Sequence, residues 1–261
     1  MLIGAIGAID GWLVRIVRPS WFRDKIKNPT TFFSRKGFFA LNVQCIVDDR
    51  KKVLWVSYSH KGGSYDSSCF KESKLYEFLK TVRHDLFNLG YYFLGDSAYA
   101  IESFILTPYD GASPRTPEDD FNFYQSSARI TVECAFGEID LRWGIFWKRL
   151  TCSLDHASVI IEGAMRIHNF IVDYREEHCD NGTGVTDRRI FTEDINNNGG
   201  DVMVVGDDHR DKGRKFNNQK EDRLKGLQLR DKLRISLMNH DMHRSRKEDW
   251  VVDENNYVVQ S

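Results

Sequence analysis

Three features of this 261-residue sequence predict an α/β fold, a mixed β-sheet flanked by helices. Short runs rich in aromatic and β-branched residues fill the first 178 positions. A later stretch, about 126–147, repeats apolar residues every three to four positions, and a further helix is expected over about 156–174. The order of these segments reads β-β-β-α-β-β-α-α, the pattern of one sheet with helices packed on its faces. The length is ample for a buried core, and 41% apolar with 29% charged residues fits a soluble globular protein.

Leu2 to Ile9 is an apolar run that ends at Asp10-Gly11, and it predicts the first strand. Phe38 to Val47 and Val53 to Ser59 predict two more strands, joined as a hairpin by DDRKK. The Gly-rich segment HKGGSYDSS leads into a predicted helix from Ser68 to Leu89. Phe70, Leu75, Phe78, Leu79, Val82, Leu86 and Leu89 share one broad face of it. Tyr91 to Leu94 predicts a fourth strand, closed by Gly95-Asp96, and Ile105 to Pro108 a short fifth. The segment DGASPRTPEDD reads as a long loop. From about Ser126 to Trp147 the stripe Ala128, Val132, Ala135, Ile139, Trp143 and Phe146 predicts a helix, followed by another from His156 to Tyr174.

Composition changes after residue 178. NGTG, NNNGG and a long polar run follow, so 179–222 reads as a flexible linker within a loosely ordered C-terminal extension. Leu224, Leu227, Leu233 and Leu237 predict a helix over about 223–240, and WVVDENNYVVQS a terminal strand or tail. The expected organisation is therefore a domain over 1–178, a linker over 179–222 and a C-terminal helix and tail over 223–261.

A net charge of −1 gives the whole chain no attraction for a polyanion, so any nucleic-acid contact needs a local basic patch. The five cysteines, Cys45, Cys69, Cys134, Cys152 and Cys179, are odd in number and lack CxxC spacing. That argues against a disulfide framework or zinc site and for a reducing, intracellular compartment. No run of 18 apolar residues predicts a membrane span, and no basic stretch precedes the first apolar run as a secretory signal needs.

Three acidic residues stand out. Asp10 and Asp96 each end a predicted strand beside glycine, and Glu133 lies on the long amphipathic helix, one turn from Arg129. Each has a local reading: Asp10-Gly11 as a turn, Asp96-Ser97 as a cap, Glu133 as a solvated partner of Arg129. Together they read as hard oxygen ligands for a divalent ion pair, the arrangement that cleaves phosphodiesters.

Six stretches in order then resemble the DDE endonuclease domain of PIF/Harbinger-type transposases and the nucleases derived from them. They are GAIDG with Pro19, KGFFALNVQCIVD, GGSYDSSCF with SKLYEFL, YYFLGDSAYAIESFILTPY, FNFYQSSARITVECAFGEIDLRWGIF, and IHNF at Ile167 to Phe170. The resemblance covers about residues 4–178. It implies an RNase H-like fold, a catalytic and metal-binding triad of Asp10, Asp96 and Glu133, and Mg²⁺ or Mn²⁺ as cofactor. It further implies DNA as substrate, an accessory Myb-like DNA-binding protein as partner, and action in the nucleus.

Other residues are candidates around that site. Asp66 matches the Gly-Ser-x-x-Asp-Ser segment and reads as a helix cap or as a neighbour of the metal site. Arg129 reads as counter-ion to Glu133 or as a phosphate ligand. His168 and Asn169 read as satisfied core residues or as support around the site. Arg142, Lys148 and Arg149, beside Trp143, read as a DNA-backbone contact or as a helix C-terminus.

The sequence departs from the family where Asp-Gly-Thr-His is common: Trp12-Leu13 follows Asp10-Gly11 here. Ala98 replaces a glycine of GDxGY, Tyr65 stands where histidine is frequent, and the proline usual before Gly62 is missing. Family members carry an N-terminal helix-turn-helix region, so the resemblance implies a truncated element protein with weak site-specific binding. The competing expectations are a catalytically inactive transposase-derived module that binds DNA or protein, and an RNase H-like nuclease acting on RNA or hybrids.

Overall fold

The computed structural model describes residues 2–179, 191–193, 212–240, 242–244, 250–252 and 258–260. Strand β1, Ala5–Arg15, is the spine of the molecule. It does not stop at Asp10. Antiparallel pairing with β2, Ala40–Val47, carries it on, with Asp10 opposite Cys45 and Arg15 opposite Ala40. Asp10-Gly11 is thus mid-strand, and the turn reading fails because the neighbouring strand takes up the backbone hydrogen bonds that a turn would close on itself. The connection between these strands contains helix α1, Trp21–Asp24, and a 3₁₀ turn, Pro29–Phe32.

β2 returns as the predicted hairpin into β3, Val53–Lys61. β4, Tyr92–Leu94, and β5, Ile105–Leu106, add in parallel on the other side of β1, and β6, Phe191–Glu193, adds in parallel to β3. The order is β5-β4-β1-β2-β3-β6, a mixed, RNase H-like sheet. β7, Trp250–Val252, and β8, Val258–Gln260, form a separate hairpin.

Alternation along β1 divides the core. Ala8, Trp12 and Val14 pack on one face with Val132, Ala135 and Ile139 of α4 and Ile161 and Met165 of α5. Ile9 packs on the other with Ile46, Phe70 and Leu79. Helix α4 spans Pro117–Arg142, beginning nine residues before the expected Ser126, and a 3₁₀ turn, Gly144–Trp147, follows it. Thr116 caps it by accepting from the Asp119 amide, Pro117 fits the first turn, and Glu118, Asp119 and Asp120 meet the positive end of the helix. Helix α5 spans Leu154–Cys179.

The helix expected over 68–89 is two: α2, Asp66–Lys71, and α3, Lys74–Leu89. Ser73 separates them by capping α3 through the Tyr76 amide, and only Leu79 of α3 is fully buried. Of the expected linker, 180–190 and 194–211 lie outside the described residues. The last helix, α6, spans Lys212–Asn239, so it begins eleven positions before the expected 223. It docks on the sheet edge, where Arg230 donates to the carbonyls of Thr107 (3.3 Å) and Pro108 (2.9 Å) beside β5. Its Asp222 is buried in ion pairs with Lys80 and Arg83 of α3, and Leu237 joins the α4 side of the core.

Candidate active site

The middle of β1 and the end of β4 lie side by side under α4, and three residues of α4 spaced one turn apart face them. Gln125 donates to the Gly95 carbonyl at 2.7 Å and so fixes the loop carrying Asp96. Arg129 reaches Asp10, with Nη1 3.7 Å from Oδ2. The same Nη1 lies 2.8 Å from Glu133 Oε1, and the Glu133 side chain is 49% exposed. Arg129 therefore bridges the first and third acidic positions.

The Asp10 carboxyl accepts from the Gly11 amide at 2.9 Å. Burial pushes it up to about 6, the neighbouring carboxylates of Asp96 and Asp66 add to the rise, and the Gly11 amide and Arg129 oppose it. Asp96 sits just past β4 and accepts from the Ala98 amide at 2.9 Å, so it does close a local turn, and its charge reaches Asp10. Among the described residues no three His, Cys, Asp or Glu side chains form a ready metal-holding cluster.

Asp66 is not a helix cap. The cap position belongs to Tyr65, which makes no side-chain cap bond. The Asp66 carboxylate turns back to the sheet and accepts from Asn42 (2.8 Å) and Gln44 (3.0 Å), with Arg35 3.7 Å away. Gln44 in turn accepts from the buried Tyr99 hydroxyl at 2.6 Å. This polar chain runs across the α2 face of the sheet to the segment that carries Asp96. Gln125, Asn42, Gln44 and Tyr99 were not singled out in the sequence. The available signal was the pair of amides alternating within an otherwise apolar strand, ALNVQCIV.

Trp12 does not crowd the site. Its indole stacks on Phe136 (5.8 Å between centroids), meets Phe146 edge-on (4.9 Å) and donates to the Asp140 carboxylate. It anchors β1 to the far half of α4.

His168 and Asn169 lie at the hairpin, bonded to neither Asp10, Asp96 nor Glu133. Asn169 accepts from the Val53 amide and donates to the Val53 carbonyl, both at 2.8 Å. His168 Nε2 meets the Lys51 carbonyl at 2.7 Å and Nδ1 meets Arg142 at 3.0 Å; burial lowers its pKa. Arg142 also stands 3.8 Å from Glu138, so its charge is engaged inside the protein, whereas Lys148 and Arg149 are exposed.

A family model described as DDE superfamily endonuclease matches residues 9–169, more than half of the chain. The chain belongs to the DDE superfamily endonucleases. The matched segment begins one residue before Asp10, ends at Asn169 and contains Asp96 and Glu133. A similar curated protein, "Protein ALP1-like" of Arabidopsis thaliana, is 25% identical over 155 residues, 54% of this chain and 37% of the relative. The chain thus spans little more than a third of that relative. No solved structure matches it. Helix α6 lies wholly outside the segment that defines the family.

Asp10 and Asp96 supply hard carboxylate oxygens, the donor type a divalent cation takes. Two hard carboxylates, Asp10 and Asp96, repel one another in a partly dry setting, and only Arg129 among the named neighbours lowers the Asp10 pKa by its charge.

Proposed function

We propose that this chain is a metal-dependent DNA endonuclease of the transposase type, with Asp10, Asp96 and Glu133 as its catalytic carboxylates. The observation that supports the reading is the row Gln125, Arg129 and Glu133 on α4, which ties the loop of Asp96 and the carboxylates of Asp10 and Glu133 to one helix face. Asp10 and Asp96 would hold Mg²⁺ or Mn²⁺, joined by Glu133. A bound divalent ion supplies Lewis-acid chemistry for phosphodiester cleavage. Arg129 meanwhile neutralises Asp10 and Glu133, and it is placed to turn to a phosphate when they are otherwise occupied. Gln125 holds the Asp96 loop, and the chain Asp66–Gln44–Tyr99 keeps the sheet face beneath it rigid. By the Harbinger resemblance the place of action is the nucleus and a Myb-like DNA-binding protein is the partner.

The test is Mg²⁺- or Mn²⁺-dependent nicking of plasmid DNA by the purified chain. Asp96→Ala and Glu133→Ala should each abolish it, and Mn²⁺ should raise the melting temperature of the unmutated chain alone. Nicking that survives both substitutions removes the triad. The second reading, a catalytically inactive binding module, is favoured by Glu133, which is committed to Arg129 and half-exposed. Absence of any Mn²⁺ shift together with retained DNA binding would select it.

A further inference from the structure

Charge is unevenly spread over the two ends of the sheet. At the hairpin end three consecutive cations are each neutralised: Arg50 by Glu176, Lys51 by Glu138 and Lys52 by Asp173. At the opposite end they are not. Residues 11–39, which close β1 and connect it to β2, hold seven basic residues and one acidic, in a chain of net charge −1. All seven are exposed. The single acid, Asp24, is taken by Arg23 at 2.9 Å. Arg18, Lys25, Lys27 and Lys36 enter no ion pair among the described residues, and Arg35 has only its 3.7 Å approach to Asp66.

Pairing brings further cations to the same end. Lys61 lies opposite Leu41, and Leu150 bridges Ile16, which places exposed Lys148 and Arg149 beside the end of β1. Aromatic rings are exposed there too: Phe22 at 91% and Tyr65 at 77%. Beside Tyr65, on the α2 face, is a polar cavity of about 150 Å³, lined among others by Gly11, Leu13, Arg35, Lys36 and Asp66. Its Gly11 wall lies on the face of β1 opposite the one on which Asp10 meets Arg129.

Unneutralised cations beside bare rings are what an unpaired nucleic-acid strand requires. Its phosphates need positive charge, and its exposed base faces stack on aromatics, which bases inside a duplex cannot do. We propose that the β1–β2 connection and the turn at 61–66 form a landing surface for an unpaired DNA strand. Arg35 and Lys36 hold its phosphates, and Tyr65 stacks a base. The choice of DNA over an acidic protein rests on the endonuclease reading; the surface itself does not.

The experiment is fluorescence anisotropy of labelled oligothymidine with the full chain in EDTA, where no cleavage occurs, beside a duplex of equal length. Oligothymidine should bind more tightly than duplex, with affinity falling as salt rises. Arg35→Glu with Lys36→Glu should weaken it at least tenfold and flatten the salt dependence. Tyr65→Ala should weaken it about tenfold, with Tyr65→Phe restoring it. Binding is read in EDTA, where no cleavage occurs, so loss of cleavage and loss of this surface are read separately. Duplex bound as tightly as single strand, polyglutamate competing as well as DNA, or a double charge reversal that leaves affinity within twofold would each overturn the proposal. These side chains are exposed, so the variants should keep the circular dichroism of the parent.

Discussion

The Asp66 carboxylate occupies the space where a Gly11 side chain would be. A β-carbon built on Gly11 lies 2.2 Å from Asp66 Oδ1 and 2.7 Å from Gln44 Nε2. Gly11→Ala should therefore push Asp66 away from Asn42 and Gln44, at a cost of about 2 kcal/mol. Urea denaturation of the two proteins measures it, and equal midpoints would show that the close approach carries no constraint.

The Asp10 carboxyl sets a pH dependence. Its pKa is raised from an ordinary 3.8 to about 6, so between those values the folded state keeps a proton that the unfolded chain has lost. Stability is then fully present below about pH 4 and declines as pH rises through 6. Asp10→Asn should remove that decline and make the protein more stable at pH 7, by an amount on the order of 2 kcal/mol. Melting curves across pH 4 to 7 test this, and a variant whose curve runs parallel to the parent's contradicts it.

Asn169 holds both polar groups of Val53 in a buried setting. Asn169→Ala leaves an amide and a carbonyl without partners and should cost about 3 kcal/mol. If the residue instead acted at the metal site, the substitution would lower Mn²⁺-dependent stabilisation while sparing the metal-free melting temperature.

Asp222 fastens α6 through Lys80 and Arg83. Asp222→Ala leaves Arg83 without its carboxylate and Lys80 with Glu102 alone, and should cost about 3 kcal/mol. Limited proteolysis should then cut within α6 before the rest of the chain. Uniform cleavage kinetics in parent and variant would argue that α6 is held mainly by its apolar contacts.

The strands and the two long helices were legible because their apolar periodicities match what the sheet buries. Trp12 illustrates what was not. From its position after Asp10 it raised a question about the site, but the side chain's fate depended on Phe136 and Phe146, more than 120 residues away. The early start of α4 was written in Thr116, Pro117 and Asp119, yet the same residue types also spell a loop. Asp66 looked like a cap because carboxylates favour helix starts; three polar neighbours on another strand and connection, Asn42, Gln44 and Arg35, outweighed that preference. The bridging of Asp10 and Glu133 by Arg129 needed the register of α4 on β1, which no local pattern contains.

The docking of α6 bears on how the molecule is made. Synthesis releases the N-terminal elements first. The sheet and α4 can gather while β5 still lacks the helix that flanks it, since Arg230 and Leu237 arrive long after Leu106. A nascent chain would pass through a stage with an open strand edge, which invites pairing with a neighbour. Premature termination after residue 169 would leave every one of the family's matched residues present and make that stage permanent.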